Sequence, residues 1–293
     1  MNTEQKKKIK QLFEKKRSDL GYSQKQAAIA AGSKASTVSQ VFSGKYPADD
    51  TGIYRVLAHW VGFSSESWKT VKDSQFKYLN TLLTDAHKYA NCYGIAGKAG
   101  IGKSETLEWY ALNHKNVIYV ECDIDITKKI LLKQIIRQLG GECHSLQIYD
   151  MIEFITQRFL QLNKPMLLID EFDKLPNKVK MLTISLFNRL ENHCAIIICG
   201  SKALKKQMER NVVLNKVGFD EMASRFALKT NDPSVLRFKE PPQLSENDVT
   251  MICEGNGITD TDEIQEVIDD CAGDKRRIKR KIHALKKLKT LAA

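Results

Sequence analysis

The run Gly97-Lys98-Ala99-Gly100-Ile101-Gly102-Lys103-Ser104 fills the pattern G-x-x-x-x-G-K-[ST] at every position. Each residue type has a physical task. Glycines let backbone N–H groups turn inward around a chain of phosphates. The helix expected from Ser104 to Leu112 aims the positive end of its dipole at the same spot. Lys103 is placed to reach the β- and γ-phosphates, and the Ser104 hydroxyl to coordinate Mg²⁺. With Glu105 next on the helix, residues 97–105 form the expected ATP-binding set. A chance match in a chain of this length has odds on the order of 1 in 100.

Outward from this loop, apolar strand-length runs alternate with longer helical patterns from about Asp73 to Lys239. That alternation predicts an α/β fold with a parallel sheet. Strands are expected near Asn91–Ala96, Val117–Glu121, Met166–Asp170, Ala195–Cys199 and Val235–Phe238. The third ends in Asp170-Glu171, two carboxylates closing an apolar strand. Asp170 would hold Mg²⁺ through its water shell, and Glu171 would orient and polarise an attacking water. Such a pair can equally begin a solvated turn, but the complete phosphate loop beside it favours chemistry.

The 293-residue chain is 42% hydrophobic with a mean hydropathy of −0.36, which fits a soluble protein with a sizeable core. No apolar run nears the roughly 20 residues that span a bilayer, and no signal peptide is read at the lysine-rich start. The seven cysteines form no Cys-x-x-Cys pair and the six histidines are scattered, so disulfide frameworks and zinc sites are not expected. A cytoplasmic location is expected. Net charge is +11, with basic residues crowding Lys6 to Arg17 and Lys275 to Lys289, which favours a polyanionic partner.

The order of phosphate loop, helix, strand, Asp-Glu strand, further strand and helical end resembles the AAA+ ATPases. The resemblance implies a P-loop AAA+ parallel sheet with a helical lid. It places a polar sensor after the Ala195–Cys199 strand, where Ser201 is the candidate. It makes Ser224-Arg225-Phe226 similar to an arginine-finger box, with Arg225 inserted into a neighbouring subunit's ATP site. It makes Gly273-Asp274-Lys275-Arg276 similar to a second sensor, with Arg276 reaching back from the lid. Within that superfamily the chain is similar to the target-capture ATPases of Mu-type transposable phages, the MuB family, and more loosely to the IstB and TnsC families. The likeness extends to Asn116-Val117-Ile118-Tyr119. It implies polymerisation on double-stranded DNA with ATP bound and recruitment of a DDE-type transposase.

Three domains are expected: 1–70, 73–240 and 241–293, the last two meeting at Glu240-Pro241-Pro242. In the first, Ser23 caps a short helix that stops at Gly32, and Ser33 is expected to cap a second, Lys34 to Ser43. That is an all-α helix-turn-helix pattern. Val38 and Val41 would face its core, while Lys34, Ser36 and Gln40 would face the major groove and Gln24 a phosphate. Ala35 and Ser36 offer little base discrimination, so affinity is expected more than sequence choice. A helical protein-docking module with the same packing is the alternative. In the last domain, Ile278, Ile282, Leu285 and Leu288 form an apolar stripe flanked by cations.

These readings converge on a slow, DNA-stimulated ATPase that oligomerises on DNA, selects transposition targets and activates a transposase. An ATP-gated transcriptional regulator and a helicase-loading replication ATPase are the alternatives. The adenine pocket is expected, by position only, around Tyr78 to Thr84.

Overall fold

The computed structural model describes residues 1–63, 68–143, 145–226 and 239–292. Its first unit is a helical bundle of α1 (Thr3–Asp19), α2 (Gln24–Ala30), α3 (Ala35–Phe42) and α4 (Thr51–Val61). Capping boxes start two of these helices: Asn2 with Gln5 for α1, and Ser23 with Gln26 for α2. At α3 the cap differs from expectation. Lys34, not Ser33, is the first half-helical residue and makes no side-chain cap bond. The tight turn before it uses Gly32 at φ +80, a conformation that glycine adopts without steric cost. Ile9, Phe13, Val38 and Leu57 are fully buried in the bundle.

The middle unit opens with α5 (Ser74–Tyr89) and then alternates β1 (Tyr93–Gly97), α6 (Lys103–Asn113), β2 (Val117–Glu121), α7 (Lys128–Gln138), α8 (Ile148–Leu160) and β3 (Met166–Asp170). A single 3₁₀ turn, α9 (Asn177–Lys180) and α10 (Leu182–Leu190) lead to β4 (Ala195–Ser201), α11 (Lys202–Val213) and α12 (Phe219–Phe226). The four strands pair in parallel in the order β1-β4-β3-β2. Alternate strand residues feed two cores. Ile118, Leu167, Ile169, Ile196 and Ile198 pack against α7, α8 and α10, and Met166, Leu168 and Ile197 against α5 and α6. Burial on both faces explains why these strands read as continuous apolar runs.

The expected strand Val235–Phe238 lies outside the described residues. Lys239, just after it, pairs in parallel with Ile95 on the outer edge of β1, through Lys239 N–H to Gly94 O (2.8 Å) and Ala96 N–H to Lys239 O (3.0 Å). Lys239 thereby pairs part of the outer edge of β1, the strand that leads into the phosphate loop.

The third unit packs α13 (Glu246–Gly255), α14 (Thr261–Cys271) and α15 (Lys275–Ala292) around Val249, Ile252, Val267, Ile278 and Ile282. The stripe on α15 is shorter than expected: Leu285 is buried, but Leu288 is 63% exposed. The segment leading from the bundle to the sheet joins this unit, since Trp68 and Val71 pack on its core. Asn256 fixes the segment's backbone, accepting from Lys69 N–H (2.8 Å) and donating to Lys69 O (3.2 Å). No helix among the described residues is long and apolar enough to cross a membrane.

Candidate nucleotide-binding site

β1 ends at Gly97, and the loop that follows turns through Gly100 (φ +80) and Gly102 (φ +85) into α6. Both glycines hold a left-handed backbone that other residues adopt only under strain. Crowding adds a second constraint. A Cβ at Gly97 would stand 2.7 Å from Ile101 Cδ1, and one at Gly102 would stand 2.9 Å from Lys275 Nζ. A Cβ at Gly100 would land on the Asp274 carboxylate. The Lys103 ammonium folds over the loop and donates to Lys98 O (2.8 Å) and Gly97 O (3.1 Å). Its charge sits at the loop's centre.

Beside the loop, β3 delivers Asp170, whose carboxylate is held on both sides. Glu171 N–H donates to Oδ1 (2.8 Å) and the Tyr119 hydroxyl to Oδ2 (3.2 Å). Glu171 itself stands at φ +54, ψ 34, a strained position for a residue with a side chain. Burial pushes its carboxyl upward, and the ammonium of Lys174, 3.8 Å away, partly opposes this. A raised carboxyl pKa and a strained backbone coincide at one residue of a cleft, a combination typical of reactive carboxylates.

A cleft of about 770 Å³ collects Ala99, Gly100, Gly102, Lys103, Ser104, Glu105, Asp170, Glu171, Ser201 and Arg276. Most of the expected set thus converges from β1, α6, β3, β4 and α15. The donors suit the group they are expected to hold: a glycine cradle with a central ammonium for phosphates, and a hydroxyl with a fixed, buried carboxylate for Mg²⁺. When bound there, Mg²⁺ supplies charge neutralisation at the β- and γ-phosphates.

Several residues take roles the sequence did not reveal. Glu105 lines the cleft but accepts a 2.6 Å hydrogen bond from the Thr70 hydroxyl, tying α6 to the incoming segment. Ser201 caps α11, accepting from Ala203 N–H (3.1 Å) while donating to Asp173 Oδ2 (2.5 Å). Its hydroxyl is thereby committed inside the protein. Arg225 is not in the cleft. It pairs with Glu221 (2.5 Å) and lies 4.4 Å over the Phe187 ring. Tyr78 to Thr84 sit on α5, with Leu79 and Leu83 buried behind the sheet. The cleft is walled instead by Trp68, Thr70, Lys275 and Lys279.

Lys275 is the lid's main fastening. Its N–H donates to Gly100 O (2.8 Å), and its ammonium pairs with Asp73 at 2.6 Å, both side chains largely buried. The N-terminus of α15 therefore rests on the phosphate loop itself. In the bundle, Gln24, Lys34, Ser36 and Gln40 are all exposed, and Val38 and Val41 are buried as the pattern predicts. These four lie on the bundle, apart from the residues that wall the cleft.

Comparison with curated proteins finds no match to this chain. Residues 86–208 match the family model of the AAA domain. That span runs from the end of α5 through the phosphate loop and Asp170-Glu171 to Ser201 and most of α11. The match and the cleft together support an AAA+ ATPase domain over residues 86–208.

Proposed function

We propose that this protein is an ATP-dependent DNA-binding ATPase that assembles on duplex DNA, selects transposition target sites and recruits a transposase. The observation that carries the ATPase part is the convergence of Lys103, Ser104, Asp170, Glu171 and Arg276 on one cleft. In this reading Lys103 and the loop amides bind the phosphates, Ser104 and Asp170 hold Mg²⁺, and Glu171 accepts a proton from water. Arg276 closes the cleft from the lid. Hydrolysis is slow and acts as a timer for release from DNA.

The DNA part rests on the bundle. Two short helices joined through Gly32 present Lys34, Ser36 and Gln40 to solvent, and Gln24 starts the first helix. With the +11 charge, this suits a backbone-dominated contact with weak base choice. The transposition part rests on the likeness to the Mu-type target-capture ATPases. Arg225 would reach a neighbour's cleft by exchanging its Glu221 partner for that neighbour's nucleotide, which makes assembly depend on ATP.

Duplex binding of three proteins, followed against salt with ATP or ADP, tests this. The natural chain binds more tightly with ATP. Lys103→Ala loses the ATP advantage and keeps the ADP-level affinity. Lys34→Glu weakens binding with either nucleotide and reduces the salt slope by about 1. Equal affinity of all three proteins would refute the reading.

A further inference from the structure

β2 forms one edge of the described sheet. Met166 N–H donates to Asn116 O (2.9 Å) and Cys122 N–H to Asp170 O (3.0 Å). In a parallel ladder the even-numbered residues of β2 therefore face β3, and Val117, Tyr119 and Glu121 turn their N–H and C=O groups the other way. None of these outward backbone groups meets a hydrogen-bonding partner among the described residues. An open edge of this kind is a template for another strand, and proteins usually pair it, cover it or charge it.

Here the edge is roofed but not filled. The helical bundle leans over it, anchored by the Tyr22 hydroxyl on Gln138 O (2.7 Å) and by Lys25 with Glu142 (3.0 Å). Between bundle and sheet remains a groove of about 310 Å³ that follows every residue of β2 from Val117 to Glu121. Its walls are mixed, with Leu20, Ala31 and Trp60 from the bundle and Ala111 and Leu112 from α6 beside the polar Lys16, His59, Glu108 and Gln138. The Gln134 side-chain oxygen is buried without a partner, and Gln134 lines this groove.

The charges favour one sign of occupant. Lys16 is satisfied internally, its ammonium donating to Trp60 O (2.6 Å) and lying 4.8 Å over the indole ring. Burial lowers its pKa to about 8, and nearby Glu108 opposes that shift. Glu121, the last β2 residue along the groove, and Asp123 and Asp125 just after it in the chain are exposed and form no ion pair among the described residues. This end of the strand is acidic, and Ile124 between the two aspartates is 70% exposed.

We infer that the groove along β2 is a docking site for an extended, basic peptide segment of another protein, which adds a strand to the sheet edge. Backbone groups of Val117, Tyr119 and Glu121 supply the ladder, the apolar wall residues Leu20, Trp60 and Leu112 take alternate side chains, and the acidic end of β2 at Glu121 takes a lysine or arginine. This inference is independent of the DNA reading, because the bundle residues exposed for DNA do not line the groove.

The test selects a displayed library of random short peptides on the full-length chain and on its Glu121→Lys variant. Selection on the natural chain is expected to enrich alternating apolar sequences ending in lysine or arginine, with at least about tenfold weaker binding to Glu121→Lys. Each enriched peptide is then remade with N-methyl groups on alternate residues, in two registers. Strand addition predicts that one register abolishes binding and the other leaves it within about twofold, because only one edge of the added strand is paired. Equal effects of the two registers, no enrichment, or enrichment indifferent to Glu121→Lys would overturn the inference. Enrichment of a stretch of this chain's own sequence, with self-association lost in Glu121→Lys, would also overturn it and make a second copy the occupant. Thermal unfolding of Glu121→Lys at the natural temperature excludes misfolding as the cause.

Discussion

At the scale of single residues, the proposed hydrolysis rests most heavily on Glu171. It is strained at φ +54, half-buried, and raised in pKa by that burial, which suits a proton acceptor near neutral pH. Glu171→Gln is expected to keep ATP binding and lower hydrolysis at least about a hundredfold, read by steady-state phosphate release beside nucleotide titration. Loss of both together would mean that Glu171 builds the site rather than acting in it. The residue scale also marks how far the sequence speaks. Asp170 and Glu171 were legible because their apolar strand accompanies a complete phosphate loop, which a pair of carboxylates alone would not have decided. Ser201 was legible only as a polar position, since one hydroxyl can sense a ligand or cap a helix, and here it caps α11 and bonds Asp173. Trp68 and Thr70 carry no local signature, and Lys275 lay inside the sensor-like run 273–276 without its own role as a fastening being visible. All three reach the cleft through tertiary packing across long stretches of chain.

At the scale of elements, the three-helix lid is fastened to the phosphate loop and to the segment that precedes α5. Asp248 is one rivet. It accepts from Ser74 N–H (2.8 Å), Ser74 Oγ (2.7 Å), Ser245 N–H (3.0 Å) and Ser245 Oγ (2.8 Å). Burial alone would raise its pKa, but those donors outweigh burial and hold it at about 2. Its contribution is therefore complete above the unfolded value near 3.8 and fades as pH falls toward 2. Asp248→Ala is expected to cost about 1–3 kcal/mol at neutral pH, with a deficit that shrinks in acid, measured by denaturant unfolding across pH. A deficit constant down to pH 2 would argue against the ionised rivet. The strands were legible at this scale because burial on both faces makes them uniformly apolar, and the Gly-rich loop fixed where the first one ends. The lid's apolar stripe was overread by one turn, because Leu288 continues the helical period past the surface it packs on.

At the scale of the whole molecule, the chain joins a basic helical bundle to a nucleotide cleft through residues 68–73, and those residues pack on the lid rather than hanging free. A lid that moves with nucleotide would carry the segment with it, which gives ATP a mechanical route to the bundle. Length and alternating pattern made a helical N-terminal region ahead of a parallel α/β core visible in outline. They did not show that the bundle roofs the edge of the sheet, since the contacts of Tyr22 with Gln138 and Lys25 with Glu142 join residues more than a hundred positions apart. The central claim is that ATP in this cleft drives assembly on DNA, and electron microscopy of the purified chain on unrelated duplexes with ATP, ADP or no nucleotide tests it most directly. Continuous coating with ATP, and bare or sparsely decorated DNA otherwise, is the expected result. Coating indifferent to nucleotide, or discrete particles at fixed sites, would contradict it.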